Sequence, residues 1–420
     1  GGNMIDFTDL LKSELIKACG CTEPISIALA AAKAREVLGK LPVKVEVKCS
    51  GNIIKNVKSV TVPNTSGMKG VESAAAIGII GGKANKELEV LSEVTKEDIQ
   101  NAKIMLENKQ ISVFLKEGEE NLDIEIVLYD DYGNNVEVEI KNKHTNIVKI
   151  IKNGEVHMYD NCYSNARTHK DYDKLSVKDI FDYAENIDLS RVENLLEQQI
   201  SSNTAISKEG LTGKWGSAVG KMLLDEDNSL RTRARAKAAA GSDARMSGCS
   251  LSVVINAGSG NQGITCSIPV IEYAKERNAS KEILYRGLII SNLVALHIKR
   301  FIGRLSAYCG VTSAGVAAGA GIAYVETQNF KIVEETISNA LMIASGMICD
   351  GAKPSCAAKI ATAVDAGITG FNLAKRGKSF IAGDGLLKDC VENTIRNIGY
   401  IAKEGMKQTD IEVLNRMIEK

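Results

Sequence analysis

The chain has 420 residues, and its 52 basic and 52 acidic side chains give a formal net charge of zero at pH 7. Balanced charge without a long run of Lys or Arg argues against a nucleic-acid binder and against binding to an anionic membrane. A content of 44% hydrophobic and 25% charged residues is typical of a globular protein. Aromatic residues make up only 5%, whereas glycine occurs 37 times. This composition predicts helices that pack closely on small side chains.

Cellular location is inferred from the start of the chain and from its cysteines. No secretory leader opens the chain, so we expect a cytoplasmic protein whose 10 cysteines are thiols, metal ligands or nucleophiles rather than disulfides. The uncharged stretch 305–325 is long enough to cross a bilayer, but more than half of it is Gly, Ala or Ser. We therefore expect a packed helix there, and neither a membrane nor a nucleic-acid partner.

The first predicted elements are two helices. Thr8 is expected to cap a helix that Gly20 ends. Thr22 is expected to cap a second helix over residues 23–38, with Pro24 in its first turn. These helices are predicted to pack on a helical body formed by the last part of the chain.

In the middle of the chain, hydrophobic and polar residues alternate as they do in strands. In the last part, hydrophobic residues recur with helical periodicity. Strands are predicted at 43–47, 57–62, 111–115, 122–128, 136–140 and 147–151, with helices at 68–80 and 96–106. Further helices are predicted at 177–187, 189–200, 281–302, 332–345, 353–366 and 389–404. The run 251–257 fits either a strand or a buried helix.

These patterns predict an α+β fold, in which a mainly α-helical catalytic body carries an inserted α/β domain with a mostly antiparallel sheet. Residues 4–40 are assigned to N-terminal helices that join the helical body. Residues 41–160 are assigned to the inserted α+β domain, and residues 161–420 to the helical catalytic domain.

Cys21 stands at the joint between the two N-terminal helices. The unpaired N–H groups of the second helix would stabilise a thiolate there and lower the pKa of Cys21. A thiolate near neutral pH acts as a nucleophile or as a base. A buried structural thiol in a tight turn is the alternative, and Cys19 is interpreted as a packing residue.

Cys309, Cys349 and Cys356 form a second group of interest. Cys349 and Cys356 bracket a loop that contains Gly351 and Pro354, where the backbone can fold around a metal. Three thiolates suit a [4Fe–4S] cluster with one open iron, which is a Lewis acid. Spacing alone favours three unrelated core cysteines, because it matches no common ferredoxin pattern and zinc would need a fourth ligand. The other cysteines are assigned to the core: Cys49, Cys162, Cys249, Cys266 and Cys390.

Two glycine-containing loops and one arginine are candidates for binding a carboxylate. Loop 63–70 joins a predicted strand to a helix, and loop 258–263 could fold as a nest of backbone donors. Arg245 could bind a carboxylate through two parallel hydrogen bonds. Each feature taken alone is more often a turn or a surface ion pair. The candidate binding residues are Asn64, Thr65, Ser66, Arg245, Ser259, Asn261 and Gln262. The histidines His144, His157, His169 and His297 lack metal-ligand spacing and are interpreted as structural.

Six motifs occur together in an order that is specific to one family. They span residues 20–25, 63–70, 209–216, 242–246, 258–263 and 345–351, and Cys356 completes the last. In these motifs the chain resembles the L-cysteine desulfidase family, which is related to the iron–sulfur L-serine dehydratase alpha chain. The likeness runs from about residue 8 to about residue 415.

The resemblance implies a pyridoxal-phosphate-independent carbon–sulfur lyase. Such an enzyme converts L-cysteine into hydrogen sulfide, ammonia and pyruvate and uses an oxygen-sensitive [4Fe–4S] cluster. The family pattern carries the cluster ligands onto Cys309, Cys349 and Cys356, in the helical domain, and the catalytic base onto Cys21. The implied partner is a small amino-acid substrate, and a homodimer is the expected assembly.

Three alternative functions stay open at this point. The same cluster could dehydrate L-serine, with the iron binding a hydroxyl instead of a thiol. A pyridoxal-phosphate lyase could use loop 258–263, although Lys214 is the only attractive lysine for a Schiff base. An iron–sulfur sensor without turnover would explain the three cysteines but not the two loops.

Overall fold

The structure is a computed structural model that describes residues 4–118, 120–160, 169–303 and 306–418. Cys162 lies outside these ranges, and the predicted domain boundary at 160–161 falls at their edge. The described residues form a six-stranded sheet with its own helices, a second sheet of two strands, and a body of packed helices. The predicted α+β fold is confirmed.

The strands and helices have the following bounds. The strands are β1 (Lys17–Cys19), β2 (Lys44–Cys49), β3 (Ile111–Leu115), β4 (Asp123–Tyr129), β5 (Asn135–Lys141), β6 (Ile147–Lys152), β7 (Glu155–Tyr159) and β8 (Ser252–Val254). The first helices are α1 (Thr8–Glu14), α2 (Thr22–Leu38), α3 (Gly51–Val57), α4 (Val71–Gly81) and α5 (Lys96–Glu107). The helices of the body are α6 (Val177–Asn186), α7 (Glu193–Gly210), α8 (Val219–Glu226), α9 (Leu230–Met246), α10 (Gly260–Glu276), α11 (Lys281–Ile302), α12 (Gly310–Thr327), α13 (Phe330–Ala344), α14 (Cys356–Lys375), α15 (Val391–Tyr400) and α16 (Lys407–Ile418).

The N-terminal segment differs from its prediction in three ways. The first helix does not extend to Gly20, because α1 ends at Glu14 and residues 17–19 form strand β1. Helix α2 begins one residue earlier than predicted, so Cys21 and not Thr22 is its N-cap residue. Helix α1 contacts the helical body, where the ring of Phe7 packs edge-on against Tyr183 of α6 at 5.6 Å between centroids. Helix α2 packs instead against α4 and strands β4 and β5. It is buried on nearly every side, so it serves as an interior layer of the sheet domain.

The larger sheet has the strand order β3-β2-β4-β5-β6-β7. Strands β2 and β3 run parallel, and the other neighbouring pairs are antiparallel. The predicted strand at 57–62 is wrong, because Val57 ends helix α3 and the residues after it turn back toward loop 63–70. Strand β7 was not predicted, since all five of its residues are exposed.

Helix α12 lies at the centre of the body, in contact with α10, α11, α13 and α14. Its glycines allow close packing: a Cβ on Gly319 would lie 2.6 Å from the carbonyl oxygen of Gly367 in α14. The predicted packing on small side chains is therefore confirmed. Within the described residues, no helix combines the length and the hydrophobicity needed to cross a bilayer.

Strands β1 and β8 form the small antiparallel sheet and connect distant parts of the chain. Lys17 pairs with Val254, and Cys19 with Ser252. The ambiguous run 251–257 therefore contains a short strand, and the glycine loop follows it before α10 begins. This pairing brings the turn that contains Cys21 close to loop 258–263, where Thr22 Oγ1 donates a hydrogen bond to the carbonyl of Gly258 at 2.8 Å.

Candidate active site

A cavity of about 90 Å³ lies where the β1–α2 turn, the start of α10 and the segments before α12 and α14 meet. This volume suits a small molecule, since one water occupies roughly 30 Å³ in the liquid. The predicted residues that line it are Cys21, Arg245, Ser259, Asn261, Gln262, Cys309, Cys349 and Cys356. The lining also includes residues that the sequence did not single out: Glu23, Asn56, Lys299, Ser306 and Tyr308.

Short backbone pairings hold the three predicted cluster ligands on one wall of the cavity. The Cys309 N–H donates to the carbonyl of Met347 at 3.0 Å, and the Cys349 N–H donates to the carbonyl of Ala307 at 2.7 Å. These bonds place Cys309 and Cys349 on adjacent segments. Cys309 is the N-cap residue of α12, and Cys356 is the first residue of α14. Two helix N-termini therefore point toward the cysteines.

The electrostatics of this wall suit a cationic metal group. Burial and, to a smaller extent, the neighbouring Cys349 raise the pKa of Cys309 to about 12. Burial also raises the pKa of Cys356, although Lys353 opposes this rise. Thiolates that repel one another in a buried place become favourable only when positive charge lies between them, as in a metal site.

The spacing of the cysteines also bears on the kind of metal group. Among the described residues, no group of three or more His, Cys, Asp or Glu side chains is arranged to hold a single metal ion. A cluster of four irons sets different demands, because each thiolate binds a separate iron. Three cysteine thiols that line one cavity are the ligand type that an iron–sulfur cluster takes, so the residues present fit such a group.

Arg245 is a buried cation at the end of α9 and also lines the cavity. Its Nη1 donates to the carbonyl of Gly20, and its Nε donates to Asn261 Oδ1 at 3.3 Å. Gly260 permits this arrangement, since a Cβ there would lie 2.5 Å from Arg245 Nε. A guanidinium has five N–H donors, so these two contacts are compatible with a further bond to a substrate carboxylate.

The side chains of loop 258–263 serve the loop and the site in different ways. Ser259 caps α10 by accepting a hydrogen bond from the Gln262 N–H at 3.3 Å. Gln262 is 3% exposed, and its Oε1 has no hydrogen-bond partner among the described residues. A buried acceptor without a partner is costly in the free protein. This makes Gln262 the residue of the loop best suited to meet a ligand.

Cys21 lies beside a buried carboxylate that the sequence analysis did not consider. Its Sγ donates to Glu23 Oε2 at 3.1 Å. The other oxygen, Oε1, lies 3.3 Å from His144 Nε2. His144 comes from the turn between β5 and β6, and Ser26 Oγ fixes that turn by donating to the carbonyl of His144 at 2.7 Å.

The predicted low pKa of Cys21 is wrong. Burial raises the pKa of Cys21 well above its usual value, and the negative charge of Glu23 raises it further, whereas Arg245 opposes the rise. For Glu23, burial raises the pKa, but the hydrogen bonds and charge of His144 and the bond from Cys21 outweigh burial and lower the pKa to about 2. The free protein thus holds a neutral thiol against an ionised carboxylate.

Loop 63–70 does not line this cavity. Asn64 Nδ2 donates to the carbonyl of Leu91 at 3.0 Å, and Thr65 Oγ1 donates to the carbonyl of Val62 at 2.6 Å. Ser66 is exposed to solvent. These side chains stabilise the loop itself, so the structure does not place Asn64, Thr65 and Ser66 with the other candidates. Pro63 instead supports the turn before Cys21, where a Cβ on Gly20 would overlap its ring.

The next two predicted residues, Lys214 and His297, are not among those that line the cavity. Lys214 is exposed and lies outside the cavity lining, which leaves the pyridoxal-phosphate alternative without its lysine. His297 is buried and lies 2.7 Å from Glu392. His144, interpreted as structural, is instead a neighbour of the site through Glu23. A local signal for Glu23 existed, because it lies in the motif 20–25, but no local pattern connects His144 to that motif.

Three clustered cysteines, a buried thiol and an arginine around one small cavity define a candidate active site for a small anionic or zwitterionic substrate. Comparison with known proteins agrees with this class. The family model of the serine dehydratase alpha chain matches residues 85–415. UPF0597 proteins are similar over nearly the whole chain: one of Finegoldia magna is 71% identical over 99% of this chain and 100% of its own length. One of Desulfitobacterium hafniense is 50% identical over 98% of this chain and 96% of its own length.

The chain therefore belongs to the serine dehydratase alpha chain family, as the motifs indicated. The family description indicates a lyase.

Proposed function

We propose that the protein is an L-cysteine desulfidase, a lyase that eliminates hydrogen sulfide from L-cysteine and yields pyruvate and ammonia in the cytoplasm. The observation that carries this proposal is the single cavity that is lined by Cys309, Cys349 and Cys356 together with Cys21 and Arg245. Membership of a lyase family supports the reaction class, and the motifs of the sequence support cysteine as the substrate.

Cys309, Cys349 and Cys356 would hold a [4Fe–4S] cluster. When bound, such a cluster supplies an iron position that lacks a protein ligand and acts as a Lewis acid on the substrate sulfur. Tyr308 and Val311 line the cavity beside the cysteines.

The other residues of the cavity would bind and orient the amino acid. The Arg245 guanidinium provides the charge and the donors for the substrate carboxylate. Gln262 Oε1, which is buried without a partner among the described residues, is placed to accept a hydrogen bond from the substrate. Together they would fix the Cα atom relative to Cys21.

Cys21 would remove the α-proton after its own thiol proton has left. The electron pair of the Cα–H bond then forms a double bond to Cβ as the Cβ–S bond breaks. Aminoacrylate results, and it tautomerises and hydrolyses to pyruvate and ammonia without further help from the protein. General-base catalysis of this kind contributes ~10²–10⁴ in rate.

Iron analysis and turnover of anaerobically prepared variants test this proposal. We expect wild-type protein to hold about four iron and four acid-labile sulfide per chain and to release sulfide and pyruvate from L-cysteine. Cys349→Ser should lose iron and activity together. Cys21→Ser should keep its iron but lose turnover by ~10²-fold or more. Cys390→Ser, which alters an exposed thiol, is the matched control and should retain both.

Two results would contradict the proposal and favour a different function. Turnover of L-serine with no sulfide from L-cysteine would assign the chain to serine dehydration with the same residues. Wild-type protein that binds a full cluster yet turns over neither amino acid would favour an iron–sulfur sensor.

A further inference from the structure

A general base must lose its own proton before it can accept one from the substrate. The Cys21 thiol is 1% exposed, so bulk water has little access to its proton. Glu23 Oε2 lies 3.1 Å from Cys21 Sγ and accepts the hydrogen bond of the thiol. The structure therefore supplies one short route by which this proton can leave.

The same carboxylate also contacts a second proton acceptor, through its other oxygen. Glu23 Oε1 lies 3.3 Å from His144 Nε2, and both side chains are buried. The bond from Ser26 to the main chain of His144 fixes the histidine against α2. Thiol, carboxylate and imidazole thus form a continuous hydrogen-bonded series that ends in an imidazole, whose ring nitrogens can accept and donate a proton.

We propose that Cys21, Glu23 and His144 form a proton relay, in which Glu23 passes the thiol proton of Cys21 to His144. The inference rests on the proposed function, since it explains how Cys21 becomes a base. Glu23 and His144 act through Cys21 and are positioning residues, whereas Cys21 meets the substrate.

The relay balances in protons and charge. In the first step, the S–H bond of Cys21 breaks and an O–H bond forms on Glu23. The carboxyl group of Glu23 then rotates about its terminal bond, whose torsion is roughly two-fold. This rotation turns the O–H group toward His144. An N–H bond then forms, which leaves a thiolate, a carboxylate and an imidazolium. The thiolate takes the α-proton of the substrate and becomes a thiol again. Cys21 then donates this proton to the leaving sulfide, and the imidazolium proton returns through Glu23 to Cys21, so neither an oxidant nor a reductant is needed.

The charges around the relay support these roles. Arg245, which also lines the cavity, lowers the pKa of the thiol and so favours the thiolate once it has formed. Lys299 adds a second basic residue to the lining of the cavity.

Variants that keep the hydrogen bond but remove the proton acceptor test the relay. His144→Gln retains a donor toward Glu23 but cannot accept a proton. In the cluster-loaded enzyme we expect kcat to fall by ~10²-fold, KM to change by less than about threefold, and iron content to stay constant. In His144→Gly, added imidazole should restore at least about tenfold of the lost kcat. His297→Gln changes another buried histidine paired with a carboxylate and should keep kcat within about twofold.

A spectroscopic measurement tests the first step without turnover. The S–H stretching band of Cys21, obtained as the infrared difference between wild type and Cys21→Ala, should move to higher frequency in Glu23→Gln because the amide is a weaker acceptor than a carboxylate. An unchanged band would show that Glu23 does not accept the thiol proton. Full kcat in His144→Gln would exclude His144 as the terminal acceptor. Failure of wild-type turnover on both L-cysteine and L-serine would instead refute the proposed function, and the infrared result would still decide the first step of the relay.

Discussion

The buried carboxylate of Glu23 makes a quantitative prediction about stability. Its pKa falls from 4.5 to about 2 on folding, because the contacts with His144 and Cys21 outweigh the cost of burial. With about 1.4 kcal/mol for each tenfold change in proton affinity, this corresponds to roughly 3 kcal/mol of folding free energy at pH 7. Glu23→Gln has the shape of the protonated acid and removes its charge. We therefore expect it to lower the free energy of unfolding by roughly 3 kcal/mol at pH 7.

The pH dependence of this loss has a definite sign. Because the pKa in the folded state lies below that of the unfolded chain, the stabilisation is complete above about pH 5 and disappears as the pH falls toward 2. The difference between wild type and Glu23→Gln should shrink to about 2 kcal/mol at pH 3.5. Urea unfolding followed by circular dichroism at several pH values measures this difference.

A matched control tests whether the loss of stability depends on the burial of the carboxylate. Glu36 pairs with Lys33 on the surface of α2, with a side chain that is 55% exposed, and Glu36→Gln should change the free energy of unfolding by no resolvable amount. Two results would refute the argument that His144 and Cys21 stabilise an ionised Glu23. Wild type and Glu23→Gln could have the same free energy of unfolding at pH 7, or the difference between them could grow as the pH falls.

Three further predictions concern the turn before Cys21, the cavity lining and the contact between Lys55 and helix α16. Gly20→Ala should lower the free energy of unfolding by at least about 2 kcal/mol, because φ is +78° and the new Cβ would overlap the Pro63 ring; an unchanged urea midpoint would contradict this. Gln262→Leu should raise KM for L-cysteine about tenfold with little change in kcat, since it removes the unpartnered acceptor; steady-state kinetics with an unchanged KM would exclude that contact. Lys55→Met should speed trypsin cleavage within α16, because Lys55 Nζ binds Asp410 Oδ1 at 2.7 Å; an equal cleavage rate would show that this bond does not hold the helix.

Local patterns predicted the elements whose burial is periodic along the chain. The bounds of α11 match the predicted helix at 281–302, and α5 begins at the predicted Lys96. Prediction failed where distant contacts decide the structure. Strand β1 has three residues and exists through its pairing with β8, and the alternation at 57–62 arises from valines that tertiary contacts bury in a turn. No window of sequence contains the partners that produce either result.

The candidate site also combines features that the sequence predicted with features that it did not. The family resemblance, and not the local spacing, indicated that Cys309, Cys349 and Cys356 lie together, and these residues line one cavity. The protonation of Cys21 was predicted wrongly, since the argument considered only the dipole of the following helix. Burial and the charge of Glu23 outweigh that dipole. His144 could not be assigned to the site, because a β-turn from another part of the fold carries it there.

The pairing of β1 with β8 also affects how the protein folds. Cys21 precedes Cys309 by 288 residues. Contacts between such distant residues form late, because the loop between them must close first. The turn that contains Cys21 therefore meets the arginine, the glycine loop and the three cysteines only in a late step of folding. We expect iron and sulfide to enter the proposed site after that step, since its residues come together only then.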